Sequence, residues 1–336
     1  MIDCDVHCAP ASIDALAPYL DEYWRDYLDN AELVLSPSLQ GAYPPALLAA
    51  DVPGDVETLR ATVLADADAA VLTCLTPFES STNVYFEAAL CRAVNDWLAE
   101  QWLAREPRLR ASLTVPVLDP DAAAEEIDRL GSHPGFTQVL LPVRTQAPYG
   151  NRRYAPIHAA AERHGLALAL HAWGRPGNAP TASGFARTYV QDYLANSQII
   201  VQGHVTSLVS EGVFDRHPGL RVVLAECGFA WLPFLLWRFD KDWKAIWREV
   251  PWVRERPSAY VRRHVRATTT PAQLPRDPAV LARLPQLLHA DELLLYASDY
   301  PHRHGGTAEP LLALLDDDGR HAVLHANAAA LHGIAA

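Results

Sequence analysis

The chain has 336 residues, 50% of them hydrophobic and 20% charged, the balance of a globular protein rather than a disordered or fibrous one. It carries 28 Lys and Arg against 40 Asp and Glu, a net charge of −12, which argues against the basic face of a general nucleic-acid binder. Only two lysines occur, Lys241 and Lys244.

Short apolar runs alternate with longer amphipathic stretches along the chain. The first run, Ile2–Cys8, reads as a strand. Further strands are expected over 69–76, 109–116, 136–143, 166–173, 220–227, 265–270 and 293–298, several of them bounded by Gly, Pro or Asp. Helices are expected between them. The stretch 88–104 carries Leu90, Val94, Trp97, Leu98 and Trp102 at helical spacing, and 122–130 and 154–164 read likewise. Eight strands alternating with helices predict an α/β fold, a (β/α)8 TIM barrel of parallel strands with helices outside. An open doubly wound sheet is the competing topology. It would place a glycine-rich loop after the first strand, and Val6-His7-Cys8-Ala9-Pro10 is not one.

One domain over 1–336 is expected, with three insertions. Residues 11–60 are rich in aromatics and proline (Tyr19, Tyr23, Trp24, Tyr27, Tyr43, Pro44, Pro45), and 174–219 is expected to hold a long helix. Residues 236–264 carry Trp237, Trp243, Trp247 and Trp252, read here as helix-to-barrel packing. The first two insertions follow strands one and five, so they are placed as a lid over the barrel mouth. No apolar run is long enough and free enough of charge to span a membrane. Five cysteines (Cys4, Cys8, Cys74, Cys91, Cys227) make an odd count without a C-x-x-C pair, which points to reduced thiols. The opening Met1-Ile2-Asp3-Cys4-Asp5 has acids where a secretory signal has bases, so a cytoplasmic protein is expected.

The polar residues on these strands carry the chemistry. Strand side chains alternate faces, so Asp3, Asp5 and His7 are expected on one face of the first strand, with Cys4 and Cys8 pointing away. Buried together, such groups are costly unless paired or metal-bound; a solvated strand end is the alternative. In the fifth strand Ala167, Ala169 and His171 share the face opposite Leu166, Leu168 and Leu170. In the sixth, Val222, Leu224 and Glu226 are expected on one inner face. In the eighth, Leu295, Ala297 and Asp299 repeat the pattern. Either acid could instead cap a helix or meet an arginine. His204 lies in the stretch after strand five, as a candidate ligand or a packing residue. His302 is read as facing substrate or supporting the site, with Trp173 and Trp231. His304 stands too near Gly305-Gly306 to place. Arg144, Arg175 and Arg303 follow strands four, five and eight, and none is assigned to a ligand.

Together Asp5, His7, His171, His204, Glu226 and Asp299 form a nitrogen and oxygen set suited to Zn, Mn or Fe. Most come from the C-terminal ends of different strands, where barrel active sites lie. The ordered motifs Asp-Cys-Asp-Val-His with Pro10, the strand ending in His171, Gly212-Val213-Phe214-Asp215-Arg216-His217-Pro218 running into Ala225-Glu226-Cys227-Gly228-Phe229-Ala230-Trp231-Leu232-Pro233, and Ser298-Asp299-Tyr300-Pro301-His302 resemble the amidohydrolase-related family, over nearly the whole chain. Its relatives include aminocarboxymuconate semialdehyde decarboxylase and resorcylate-type decarboxylases. The resemblance implies a distorted, metal-dependent (β/α)8 barrel with metal on Asp5, His7, His171 and Asp299.

Two departures follow from the same resemblance. The carboxylated lysine that bridges metals in many dinuclear relatives has no counterpart on strand four. The decarboxylases look to have a histidine at the end of strand six, where this chain has Glu226. The six-residue set is similar to that of a small group of amidohydrolase-fold nonheme di-iron monooxygenases of platensimycin and platencin biosynthesis. That similarity implies two irons on all six residues, O2 and an electron donor, and hydroxylation of an apolar carboxylate-derived substrate such as a diterpenoid CoA thioester. The aromatic insertions would then shape an apolar pocket. The alternative is a mononuclear Zn or Mn enzyme, a hydrolase or non-oxidative decarboxylase of a small aromatic carboxylate, with Glu226 or Asp299 as proton carrier. A homodimer is allowed by the aromatic surface.

Overall fold

The computed structural model describes residues 1–30, 52–75, 83–174, 178, 184, 188–304 and 306–334. Eight parallel strands lie in sequential order: β1 (Ile2–Cys8), β2 (Ala69–Cys74), β3 (Leu109–Thr114), β4 (Phe136–Arg144), β5 (Ala167–Gly174), β6 (Val222–Ala225), β7 (Val265–Thr268) and β8 (Leu294–Leu295). β8 is short, and the segment after it returns to β1. The Cys4 and His7 amides donate to the Tyr296 and Tyr300 carbonyls at 2.9 and 2.8 Å, and Asp299 donates to the Asp5 carbonyl at 3.0 Å. The sheet is thereby almost closed into the expected barrel.

The helices form where periodicity and capping agree. Asn83 caps the helix Val84–Leu98 by accepting from the Tyr85 and Phe86 amides. Asp119 caps Pro120–Leu130 through the Ala122 amide, with proline at the first turn, the arrangement that satisfies orphan amides. Leu90, Val94, Trp97 and Leu98 pack into the core between helix layer and barrel. The stretch after β5 contains the expected long helix, Tyr189–Leu194 and Ile200–Ser210 joined through a π turn at Ala195–Ile199.

Two expectations about the insertions change. The tryptophans of 236–264 are not uniformly packing residues. Trp243 packs on the core, whereas Trp237, Trp247 and Trp252 are 55%, 44% and 42% exposed. The stretch holding Tyr43, Pro44 and Pro45, and Arg175, lies outside the described residues, and the described part of the first insertion holds the helices Ile13–Tyr19 and Glu22–Asn30 after β1. No helix among the described residues is long and apolar enough to cross a membrane.

Asn95 ties two helices and a strand together. Its Nδ2 donates to the Thr114 carbonyl and Glu126 Oε1 at 2.9 and 2.7 Å, and its Oδ1 accepts from the Thr114 amide at 2.9 Å. The Asn95→Ala change strips both backbone groups of Thr114 of these side-chain partners in the interior. It is expected to cost about 2–4 kcal/mol, read as a lower urea midpoint with an unchanged slope.

Candidate metal centre

The site lies at the C-terminal end of the barrel, and two backbone irregularities build it. The first is a bulge in β1. Asp3 pairs with Ala70, but Val6 pairs with Leu72. Ile2 and Cys4 pack inside the barrel with Ala167, Ala169, Val223 and Leu295, while Val6 and Cys8 join the outer core. The extra residue turns Cys4 and Asp5 inward together. Asp3 is therefore not on the face of Asp5 and His7, and Cys4 does not point away, contrary to simple alternation. Asp3 instead accepts the Ser298 amide at 2.9 Å, and burial pushes its carboxyl up to about 7.

The second irregularity is left-handed backbone at two acids. Glu226 has φ 55° and Asp299 φ 57°, a conformation that costs a non-glycine residue about 1–3 kcal/mol and collects at functional sites. On β6, Val222 and Leu224 face the outer core and Val223 faces inward, the reverse of the expected faces. Glu226 reaches the centre only because its backbone reverses there, with its amide donating to Thr268 Oγ1 at 3.1 Å. On β5 the expected alternation holds, and Ala167 and Ala169 lead to His171 on the inner row.

Four strand ends thus bring six side chains together. Candidate ligand atoms of Asp5, His7, His171 and Glu226 lie within 4.8 Å of one another, as do those of His7, Glu226, Asp299 and His302. His7 Nε2 stands 2.7 Å from Asp299 Oδ1 and 3.1 Å from Glu226 Oε1. Its Nδ1 donates to the Thr73 carbonyl at 3.3 Å, and with carboxylate oxygens facing Nε2 the ring donates from both nitrogens as an imidazolium. His171 Nε2 lies 3.2 Å from Glu226 Oε1 and 3.6 Å from Asp5 Oδ2. Thr73 Oγ1 donates to Asp5 Oδ1 at 3.0 Å.

Burial dominates the electrostatics and the carboxylates answer it. Burial lowers the His7 and His171 pKa values, but Asp299 and Glu226 raise His7 well above the ordinary range, and Glu226 and Asp5 raise His171 to about 9. Burial and Asp299 push Glu226 up, yet His171 and His7 bring it to about 2. Burial likewise raises Asp299, but His302, His304 and His7 hold it well below the usual carboxylate range.

The donors fit a divalent cation. His171 Nδ1 is buried without a hydrogen-bond partner among the described residues, and His171 Nε2 and Asp5 Oδ2 meet only in an ion pair, at 3.6 Å, with Glu226 Oε1 3.2 Å from the same nitrogen, a costly state for polar atoms. Three carboxylates and two imidazoles with no thiolate suit Mn or Zn.

His204 does not join them. Its Nε2 donates to the Val143 carbonyl at 2.7 Å and its Nδ1 accepts the Tyr149 amide at 3.1 Å. Burial lowers its pKa to about 4, so it is a neutral ring with both nitrogens committed to backbone. That corrects its assignment as a ligand. His302 Nδ1 stands 2.8 Å from Asp299 Oδ1. His304, left unplaced by the sequence, sets its Nε2 2.5 Å from Asp299 Oδ2. The spacing Asp299-x-x-His302-x-His304 was the available signal. Thr73 gave none, because a threonine in an apolar strand looks like any other. Trp173 sets its ring edge-on to His171 at 4.5 Å. Trp231 donates its indole N–H to the Cys227 carbonyl at 2.9 Å and packs in the core.

The Amidohydrolase family model matches residues 2–334. Gamma-resorcylate decarboxylase of Rhodococcus jostii RHA1 is 34% identical over 177 residues, which cover 48% of this chain and 51% of that protein. The enzyme of the same name from a Rhizobium strain is 28% identical over 170 residues, 48% of this chain and 50% of that one. The chain thus spans about half the length of the curated relatives it matches. Among solved structures, 5-carboxyvanillate decarboxylase from Sphingomonas paucimobilis superposes with TM-score 0.73 at 23% identity, covering 100% of this chain and 99% of that one. A dihydroxybenzoic acid decarboxylase from Polaromonas sp. JS666, with bound manganese and 2-nitroresorcinol, gives 0.67 at 20% identity over 99% and 96%. At these identities the structures show the fold.

These findings correct the expected oxygenase. The curated relatives are decarboxylases, a structural neighbour holds manganese, and His204, needed for a second iron, is bound by backbone groups. The reading with two irons, O2 and an electron donor is withdrawn. A (β/α)8 barrel with the acids and histidines of its strand ends gathered in one buried cluster, matched by the family model over residues 2–334, makes this chain a member of the amidohydrolase family.

Proposed function

We propose that this protein is a metal-dependent, non-oxidative decarboxylase of a small aromatic carboxylate. The observation that carries the reading is the cluster of Asp5, His7, His171, Glu226 and Asp299, its acids and imidazoles packed against one another in the interior with His171 Nδ1 lacking a hydrogen bond among the described residues. The decarboxylase relatives support the substrate class. Asp5, His7, His171 and Glu226 would hold one divalent ion, Mn before Zn, with Asp299 at its border. Bound there, the ion supplies positive charge that draws the oxygens of an anionic substrate and stabilises the negative charge left on the ring.

The chain's own residues do the rest. Decarboxylation breaks the bond between ring carbon and carboxylate, and its electron pair stays on the ring carbon. That carbon takes a proton as CO2 leaves. Asp299, kept ionised by its histidines, would relay the proton through Oδ2 rather than store it. His304 Nε2 lies against that oxygen, and its side chain is 14% exposed, so the proton can be supplied from the solvent side. His302 and His7 hold the other oxygen and fix the plane of the carboxyl. Glu226 stands where the decarboxylases resembled in sequence have a histidine. It brings a negative charge in place of a neutral or cationic ring, which makes the site a stronger cation binder. Trp173 covers one side of His171 and excludes water from it.

Three outcomes test the reading. Chelation should abolish CO2 release from 2,6-dihydroxybenzoate or a related acid, and Mn should restore it. His171→Ala should lose bound metal by elemental analysis while the circular dichroism spectrum stays native. Asp299→Asn should lower the decarboxylation rate by about 10²–10⁴ yet still bind the substrate. Retention of full activity by Asp299→Asn removes Asp299 from the proton path.

A further inference from the structure

Asp5 and His7 each carry a choice of atoms that could meet a cation: the carboxylate oxygens of one and the ring nitrogens of the other. A single residue of the neighbouring strand engages both side chains. Thr73 on β2 is the Cα partner of His7 in the register of β1 with β2, and it is buried, 1% exposed. Its hydroxyl donates to Asp5 Oδ1 at 3.0 Å. Its carbonyl accepts from His7 Nδ1 at 3.3 Å. From one position it holds the residues on either side of Val6.

The atoms left over are the ones that face the cluster. Asp5 Oδ2 lies 3.6 Å from His171 Nε2. His7 Nε2 lies 2.7 Å from Asp299 Oδ1 and 3.1 Å from Glu226 Oε1. Neither side chain sets this choice by itself. The last torsion of an aspartate is broad and roughly two-fold, and an imidazole offers either nitrogen to a metal. Thr73 is well suited to decide it. Its neighbours Leu72 and Cys74 pair with Val6 and Cys8, so its backbone is fixed in the sheet. Its branched side chain is stiff about χ1, so the hydroxyl is a donor with little freedom to turn away.

We infer that Thr73 is the positioning residue of the metal centre: its hydroxyl and its carbonyl each take one atom of a ligand, so that Asp5 presents Oδ2 and His7 presents Nε2 to a divalent cation. One effect opposes this. A donor on Asp5 Oδ1 draws charge from the carboxylate and weakens its pull on a cation. Orientation outweighs it, because losing the outer partner of a metal ligand typically costs about 10- to 100-fold in affinity. The inference rests on the cluster holding a divalent cation, as proposed above, and not on the reaction carried out there.

Calorimetric titration of the metal-free protein with Mn tests this. Thr73→Val keeps the shape and removes the donor, and its Kd for Mn should rise about 10- to 100-fold. Thr73→Ser should recover most of that loss. Thr137→Val is the control, since Thr137 is buried on β4 and its hydroxyl has no hydrogen-bond partner among the described residues; its Kd should stay that of the wild type. Urea unfolding separates positioning from packing. The midpoint gained on adding Mn should shrink in Thr73→Val, whereas a packing role lowers the midpoint of the metal-free protein and leaves that gain unchanged. Nitrogen-15 NMR of the Zn-loaded wild type reads the carbonyl's part without any variant: His7 should keep its proton on Nδ1 and bind through Nε2. Unchanged or tighter Mn binding by Thr73→Val, an unchanged gain in midpoint, or Zn bound through Nδ1 overturns the inference. If Mn affinity follows Thr73 as stated but no acid is decarboxylated, the inference stands and the decarboxylase reading falls. If the wild type takes up neither metal, both fall.

Discussion

Everything at this barrel mouth answers one electrostatic constraint: three carboxylates, the buried Asp5 and Asp299 and the partly exposed Glu226, gather around the buried ring of His7. Asp5 and Asp299 are 1% and 0% exposed. Like charges gathered in a poor dielectric repel strongly and lose their hydration. The protein answers with imidazoles. His7 and His171 sit between the acids, and His302 and His304 flank the outer one. The carboxylates hold protons on the histidines, and the histidines keep the carboxylates ionised. A divalent cation satisfies the same acids with fewer protons. Binding it and releasing protons are then one event, and this coupling explains why so much unshielded polarity is tolerated inside an otherwise apolar fold.

The backbone is arranged around that requirement. An alternating strand presents every second side chain to the barrel axis, which spaces inward groups nearly 7 Å apart along one strand. The β1 bulge and the left-handed residues Glu226 and Asp299 break this rule at three rims of the barrel. Each brings an acid to a place that regular pleating would not reach. The strain at φ 55° and 57° is set against the interaction of those carboxylates with two or more histidines.

Much of this was legible in the sequence, and what was not has a physical cause. The eight strands and their order followed from apolar runs of strand length, and β1 was delimited to the residue. His171 was placed on the inner row because alanines and leucines alternate cleanly before it. Asp3, Cys4, Val222 and Leu224 were placed on the wrong faces, because a period of two cannot register a bulge or a reversal of the chain. Glu226 came out in the right place for the wrong reason. His204 failed differently. Nothing in Gly203-His204-Val205 tells that two backbone groups 55 and 61 residues away take both ring nitrogens. With that histidine counted as a ligand, the set looked dinuclear, and oxygenase chemistry followed from the count.

Decarboxylation without a redox change is the central claim, and stoichiometry under exclusion of oxygen tests it most directly. Mn-loaded protein is incubated anaerobically with 2,6-dihydroxybenzoate, and CO2 and arene are quantified together. The account predicts one CO2 released for each resorcinol formed, at the same rate with and without O2 and with no reductant added. A requirement for O2, or a hydroxylated product that keeps its carboxylate, would contradict it.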